Sequence, residues 1–285
     1  MAQVYYQQGL PAHAAEPLKS MIALDPKHAG TAWYFLGKMY GDSHQSDLAL
    51  DAIQHAVALE PNRAEYWRDL GQLMKHYSRL EEAEQDFKKA LKLRPDDSLA
   101  YYWLGQVYVT MGNTPTLRGR AEQCYLAAIA RDPKLQEAYL ELGRLYERND
   151  NYALAIPNFR TATQLDDSDE KSLYELGRCL IKTGHTEEGQ KLVKGAKDLE
   201  TAKREISYLQ KRTIAEPKSR ELRLRLARVY RKYDSYTDAM NQYEVYQTLG
   251  PRDAAVAKEI DEYLLGLQGQ GRVPKRNSRP PQFTP

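Results

Sequence analysis

Several residue types and patterns that carry chemistry are scarce or missing in this sequence. Only two of its 285 residues are cysteine, too few for a disulfide-rich scaffold or a four-cysteine zinc site. No apolar run is long enough to span a bilayer, and the opening residues lack the basic and then apolar pattern of a signal peptide. The 41 basic and 39 acidic side chains nearly cancel, so the chain as a whole has no strong attraction for nucleic acid or an anionic membrane.

Catalytic motifs are missing as well. The six histidines show neither HExxH nor another metal-ligand spacing, and there is no GxxxxGK[ST] phosphate loop and no GxGxxG after a predicted strand. Cys124 and Cys179 fall on separate predicted helices, so we expect two packing thiols rather than a redox pair. The sequence therefore predicts a protein that is not an enzyme, with no cofactor, no metal site and no small-molecule substrate.

Tyrosine is unusually frequent, with 21 residues against 4 Phe and 3 Trp. Many of these tyrosines lie in a repeated unit. Residues 30–63 and 64–97 each carry Trp at position 4, Leu-Gly at 7 and 8, Ala at 20 and 27, and Pro at 32. These residues are Trp33, Leu36, Gly37, Ala49, Ala56 and Pro61, then Trp67, Leu70, Gly71, Ala83, Ala90 and Pro95. Similar units follow at 98–135, which has four extra residues between its predicted helices, and at 136–169, 170–219 and 220–253.

This repeat predicts pairs of helices. Apolar residues at positions 4, 7, 8 and 11 share one face of a first helix, and those at 20, 24 and 27 share one face of a second. Small residues at positions 8 and 20 let the two helix axes approach closely, and the proline ends the second helix. Because no single pair can bury its apolar stripe alone, stacked pairs must bury it together, and we predict an all-α, right-handed α-solenoid.

These residues make the sequence similar to the tetratricopeptide repeat (TPR) family. The resemblance implies a scaffold, an adaptor or a subunit of a larger complex, which binds a protein partner or peptide segment in a concave groove lined by the first helices. The family's pattern places these residues in the groove: Tyr34, Phe35, Lys38, Arg68, Asp69, Gln72, Tyr102, Trp103, Gln106, Arg144, Arg148, Tyr174, Arg178, Arg225 and Arg228. The groove is expected to be aromatic and mixed towards the N-terminus and cationic towards the C-terminus. The family's clamp for a chaperone's terminal carboxylate is missing, because position 9 is never Asn.

Four segments depart from the repeat. Residues 1–29 read as an incomplete repeat in which Met1 falls inside a helix, so we expect native sequence upstream. Residues 186–215 are predicted to form one long helix, and residues 254–267 a capping helix. Residues 268–285 are a basic tail with Pro and Gly, expected to be extended and to dock on a partner. Its candidate contact residues are Arg272, Lys275, Arg276, Arg279 and Phe283.

Two other functions stay open. Residues 201–285 hold 17 basic and 10 acidic side chains, so a nucleic-acid-binding helical repeat is the first alternative. Nucleic-acid binding is less favoured than protein binding, because dense basic clusters with stacking aromatics are missing. The second alternative is the detached regulatory part of an enzyme. Free cysteines and the absence of a signal pattern favour a cytoplasmic location, and the sequence does not identify the partner.

Overall fold

The structure is a computed structural model that describes residues 11–25, 28–233, 235–251 and 253–269. The described residues form 14 α-helices and no β-strand, which confirms the all-α prediction. The helices are Pro11–Leu24 (α1), Ala29–Asp42 (α2), Ser46–Leu59 (α3), Ala64–His76 (α4), Leu80–Leu93 (α5), Ser98–Met111 (α6), Pro115–Arg131 (α7), Gln136–Glu147 (α8), Tyr152–Leu165 (α9), Glu170–Lys182 (α10), Thr186–Ala215 (α11), Arg220–Lys232 (α12), Tyr236–Thr248 (α13) and Ala254–Gly269 (α14). Within the described ranges, no helix is long and apolar enough to cross a bilayer.

The chain divides into two compact units between Val193 and Lys194, inside α11. Unit 1 holds α1 to α10 and the start of α11, and unit 2 holds the rest of α11 with α12, α13 and α14. The long helix expected at residues 186–215 is present as α11. The repeat boundaries stay predictions. The capping helix expected at residues 254–267 is present as α14, which continues to Gly269, so the first two residues of the predicted tail are helical. The expectations for Met1 and for the rest of the tail, residues 270–285, fall outside the described residues.

The helices of unit 1 pack in sequential pairs, α2 with α3, α4 with α5, α6 with α7, and α8 with α9. Each second helix also packs against the first helix of the next pair, and neighbouring first helices contact each other directly, α4 with α6 and α8 with α10. The first helices α2, α4, α6, α8 and α10 therefore present one continuous surface of unit 1, which we call the first-helix face.

Glycine at position 8 sets the distance between the two helices of a pair. A Cβ on Gly71 would lie 3.1 Å from the Phe87 ring, and a Cβ on Gly143 would lie 2.6 Å from the Phe159 ring. In the last pair of unit 1 the backbones themselves meet, because a Cβ on Gly189 of α11 would lie 2.5 Å from the Gly177 carbonyl oxygen of α10. The close approach predicted from position 8 is confirmed, and any side chain there would push the helices apart.

The four extra residues of the 98–135 unit do not lengthen the connection between its helices. The second helix α7 begins at Pro115, six residues before Ala121, whereas α5 begins three residues before Ala83. Pro115 occupies the first turn, where its missing N–H has no helical partner to lose, and the Thr114 hydroxyl caps the helix by accepting from the Leu117 N–H at 3.2 Å. Most of the insertion is therefore an added turn at the start of α7.

Both cysteines are buried inside unit 1 and are not joined by a disulfide. Burial raises the pKa of the Cys124 thiol to about 12 and that of Cys179 to about 11, so both stay protonated at neutral pH. The prediction of packing thiols is confirmed.

Unit 2 has a core of its own. Leu209 of α11, Leu226 of α12, Tyr243 of α13 and Ile260 of α14 belong to one buried cluster. The Glu259 carboxylate of α14 accepts hydrogen bonds from Arg228, Arg231 and Tyr243, which ties the last helix to the pair before it.

Candidate functional site

The first-helix face brings together the groove residues predicted from α2, α4, α6, α8 and α10. Their side chains reach one another across neighbouring helices. The Tyr34 ring of α2 stacks on Tyr66 of α4 at 4.4 Å between centroids, and the Lys75 ammonium of α4 lies 5.4 Å from the centroid of the Trp103 ring of α6. Arg225 and Arg228 belong to unit 2, where Arg225 pairs with Glu205 at 2.8 Å and Arg228 with Glu259 at 2.8 Å.

An ion pair recurs between neighbouring first helices, from position 9 of one to position 6 of the next. We call each such pair a rung. Lys38 Nζ lies 3.1 Å from Asp69 Oδ2, and Arg144 Nη2 lies 3.2 Å from Glu175 Oε1. In unit 2 the Arg228–Glu259 pair occupies the same two positions. Each rung joins residues 31 apart in sequence, three fewer than the 34-residue repeat.

The rung at Asp69 is the centre of a buried network. The Asp69 side chain is 8% exposed and accepts a hydrogen bond from the Tyr34 hydroxyl at 2.9 Å and one from Arg68 Nε at 3.3 Å. Arg68 Nη1 also donates a hydrogen bond to Asp97 Oδ2 at 3.0 Å. Burial acts to raise the pKa of Asp97, but hydrogen bonds from Arg94 and the Ala100 N–H, with the Arg68 charge, outweigh it, so the pKa lies below its usual value. Asp69 was predicted to be a groove residue, but its carboxylate is already bonded within this network.

A second network pairs most of the cations of the predicted cationic zone of unit 1. Arg144 lies between Glu141 at 2.8 Å and Glu175 at 3.2 Å. Arg178 pairs with Glu175 at 3.0 Å and Glu147 at 3.4 Å, and Lys182 with Glu147 at 2.9 Å. Three glutamates that are not among the candidate groove residues, Glu141, Glu147 and Glu175, thus balance three cations. In the sequence, Glu175 can be identified by its spacing, because it lies 31 residues after the oppositely charged Arg144.

The central helix α6 interrupts the series of rungs. Position 9 of α4 is Gln72, opposite Trp103, and position 9 of α6 is Gln106, opposite Glu141. Neither glutamine side chain makes a hydrogen bond within the described residues, and Glu141 is already paired with Arg144 of its own helix. The two interfaces of α6 therefore carry no charged rung.

The side chains of α6 fill this interruption with a partly exposed patch. We define the α6 patch as Leu99, Tyr102, Trp103 and Gln106. Leu99 is 41% exposed, and the Tyr102 and Trp103 rings meet edge to face at 5.0 Å between centroids. Burial, and then the charges of Glu141 and Glu137, raise the pKa of Tyr102 to about 12, so its hydroxyl is a hydrogen-bond donor at neutral pH. Among the residues that the structure describes, the polar ends of Tyr102, Trp103 and Gln106 have no hydrogen-bond partner.

The remaining predicted residues of unit 1 lie on other first helices or just after one. Phe35 is partly buried and meets Tyr34 at 5.8 Å, and Tyr174 of α10 is 40% exposed with Arg178 beside its ring. Arg148, after the end of α8, is exposed and has no ion pair within the described ranges. No group of three or more His, Cys, Asp or Glu side chains in those ranges could hold a metal ion.

Two family models match the chain. One, described as TPR repeat, matches residues 78–112, and the other, tetratricopeptide repeat, matches residues 118–170 and 140–189. Human protein O-mannosyl-transferase TMTC1 is 28% identical over 141 residues, 50% of this chain and 15% of that protein. Anaphase-promoting complex subunit 3 of Schizosaccharomyces pombe is 23% identical over 150 residues, 53% of this chain and 22% of that protein. The chain spans less than a quarter of either relative.

Solved structures share the fold. PilF of Pseudomonas aeruginosa matches with a TM-score of 0.60 and 20% identity, over 67% of this chain and 85% of that one. Cut9 in its complex with Hcn1 from the anaphase-promoting complex matches with a TM-score of 0.55 and 14% identity, over 92% of this chain and 48% of that one.

Proposed function

This chain belongs to the tetratricopeptide repeat family, and we propose that it is a protein-interaction scaffold that receives a segment of a partner protein on the first-helix face of unit 1. The exposure of the α6 patch supports this most strongly. Tyr102 and Trp103 are large side chains held on a rigid helix, partly open to solvent, with unbonded polar ends. Tryptophan and tyrosine in such positions carry a large part of the binding energy of protein interfaces.

Relatives favour the same class of function. Anaphase-promoting complex subunit 3 is by its name a component of a complex, and Cut9 was solved together with a second protein, Hcn1. Assembly with another polypeptide is therefore a reasonable role for this chain as well.

A second candidate function comes from two human relatives that are named protein O-mannosyl-transferases. This chain matches 15% of the length of one and 14% of the length of the other. In that case the chain is the repeat part of a larger enzyme, and the first-helix face holds a protein segment of its substrate or of a regulator. Nucleic-acid binding is less favoured, because Arg225, Arg228 and Arg231 already have carboxylate partners in unit 2.

Site-specific photo-crosslinking in cells tests the proposed surface. A benzophenone amino acid placed at Gln72, beside the α6 patch, is expected to crosslink to a partner protein. The same group at Leu126 of α7, which is 46% exposed on a second helix, is the control and should give no such product. Equal or stronger crosslinking from position 126 would place the partner on another surface.

The Trp103→Ala variant supplies the energetic test. Loss of an anchoring tryptophan should weaken partner binding by about 2 kcal/mol or more, with the helical circular dichroism unchanged. Leu126→Ala, on the second helix α7 and outside the first-helix face, is the control and should retain binding.

A further inference from the structure

The charge pattern of the first-helix face has a gap at its centre. Rungs of opposite charge join α2 to α4 at Lys38–Asp69 and α8 to α10 at Arg144–Glu175. At the two interfaces of α6 the cation of the rung is replaced by an uncharged amide, Gln72 or Gln106. The face therefore has a neutral centre between two networks whose charges are satisfied internally.

From this gap we propose that the α6 patch takes an extended, uncharged peptide segment, with an aromatic or branched aliphatic side chain packed on Trp103 and amide groups bonded to Gln106 and Tyr102. This rests on the proposed function and specifies the chemistry of its ligand.

The hydrogen-bonding groups of the patch match those of a peptide. Gln106 offers both a carbonyl acceptor and an amide donor, and the Tyr102 hydroxyl and the Trp103 indole N–H are donors. A main-chain amide or a carboxamide side chain supplies both a donor and an acceptor, so it can satisfy these groups as they leave water. An unbonded polar group would otherwise carry its full desolvation cost in the complex.

The charged networks that flank the patch leave no charge free for a ligand. The nearest cations and anions of the flanking networks, Arg68, Asp69, Glu141 and Arg144, are bonded to one another. A charged segment would have to break one of these pairs, which is unfavourable, or depend on the few unpaired charges at the border of the patch.

The unpaired charges at the border of the patch are of mixed sign. Lys75, Glu137 and Arg148 have no ion pair within the described residues, and the Lys75 ammonium lies over the Trp103 ring. One anion and two cations spread over different helices do not favour a ligand of either charge. Binding at the patch should therefore depend little on salt.

A phage-displayed library of random 12-residue peptides, panned against the full chain at 150 mM NaCl, tests the proposal. Selected peptides are sorted by whether they still bind the Trp103→Ala variant. The Trp103-dependent peptides are expected to have uncharged centres with an aromatic or branched aliphatic residue. Their Kd should change less than about two-fold between 50 and 500 mM NaCl.

Variants of the patch define the contacts of a selected peptide. Trp103→Ala should weaken its binding about ten-fold or more and Gln106→Ala about three-fold or more, as expected for an anchor and a buried hydrogen bond. Leu126→Ala, on a second helix and 46% exposed, is the control and should leave Kd within two-fold. If circular dichroism shows that Trp103→Ala is not folded, Trp103→Phe, which keeps an apolar ring and removes the indole N–H, takes its place and should weaken binding about three-fold.

Two outcomes overturn the inference, and they differ in what they say about the proposed function. Trp103-dependent peptides with a net charge of two or more, whose affinity falls about ten-fold over the salt range, would show that the patch selects by charge. The proposed function would survive that result. A library that yields no Trp103-dependent peptide would remove the α6 patch as a docking surface for peptides altogether.

Discussion

The contact between Gly177 and Gly189 allows a sharp test of how the helix pairs are held. In Gly189→Ala the added Cβ would lie 2.5 Å from the Gly177 carbonyl oxygen and 3.0 Å from the backbone nitrogen of Ile181. Ordinary contacts of this kind begin at 3.4 Å, and backbone atoms of a helix cannot rotate aside as a side chain can. The two helices must therefore separate, and the close packing around them is lost.

The magnitude follows from two opposed effects. Replacing glycine by alanine inside a helix is worth about 1 kcal/mol in helix propensity. Forcing an extra carbon into a packed interface costs about 1 to 3 kcal/mol, and a clash with backbone belongs at the upper end. We expect Gly189→Ala to lose about 1 to 2 kcal/mol of unfolding free energy overall. Gly195→Ala, on the same helix but with open space around its Cβ, should gain about 0.5 to 1 kcal/mol.

Urea unfolding, monitored by circular dichroism, gives the unfolding midpoint of each variant. Hydrogen exchange of peptides from α10 and α11 shows how much each variant loosens these two helices. The local readout matters because repeat arrays can unfold in parts rather than in one step. Exchange in both helices should be faster in Gly189→Ala and unchanged or slower in Gly195→Ala. If both variants are stabilised equally, backbone contact between α10 and α11 does not set the spacing of this pair, and the reasoning is refuted.

Three further predictions concern charges and the tail. Burial raises the pKa of Asp86, which is 6% exposed, from 3.8 to about 6, so the folded state binds this proton more tightly than the unfolded state. The free-energy cost of ionising the buried Asp86 is absent below about pH 4, grows as the pH rises to about 6, and stays constant above pH 6. Asp86→Asn removes this cost, so it should stabilise the protein by about 1 to 3 kcal/mol in urea unfolding at pH 7. The same substitution should give no stabilisation at pH 3.5. Asp69→Ala removes the acceptor of the Tyr34 hydroxyl and one of the two carboxylates that pair with the partly buried Arg68, so it should cost about 2 to 4 kcal/mol in the same assay. Lys38→Ala, at a half-exposed position, should cost less than about 1 kcal/mol; equal effects would contradict the buried network. Deleting residues 270–285 should leave the melting temperature unchanged but weaken capture of the partner, since we propose that the tail is an assembly arm; a lower melting temperature would argue against that role.

The sequence predicts the helix pairs well because the packing that builds them is local and periodic. Trp33, Leu36 and Gly37 fix one face of a first helix within a few residues, and stacking repeats the same contacts. Residues 186–215 were predictable as one helix because apolar residues continue there at helical spacing without a proline.

The candidate site was less predictable, because position in a repeat tells which face a side chain occupies and not what it bonds. Arg144 was assigned correctly to a first helix, but its neutralisation depends on Glu175, which belongs to the next repeat. The burial of Asp69 likewise results from Tyr34 and Arg68 closing around it. Pairs of opposite charge 31 residues apart would have indicated the rungs, and the glutamines at Gln72 and Gln106 would then have marked α6 as the exception.

The added turn of α7 has a consequence for how such a chain can change length. Relative to Ala83 in α5, Ala121 follows three additional helical residues, which is close to the 3.6 residues of one turn. The helix therefore grows outward along its axis while Ala121, Tyr125 and Ala128 keep their buried positions. An insertion of two residues at the same point would instead rotate the start of α7 by about 200° relative to those side chains, so that the chain would enter the helix from nearly the opposite side. An added whole turn thus leaves the direction of chain entry nearly unchanged, and the start of α7 is a suitable place to join a reporter or a second domain to the chain as a continuous helix.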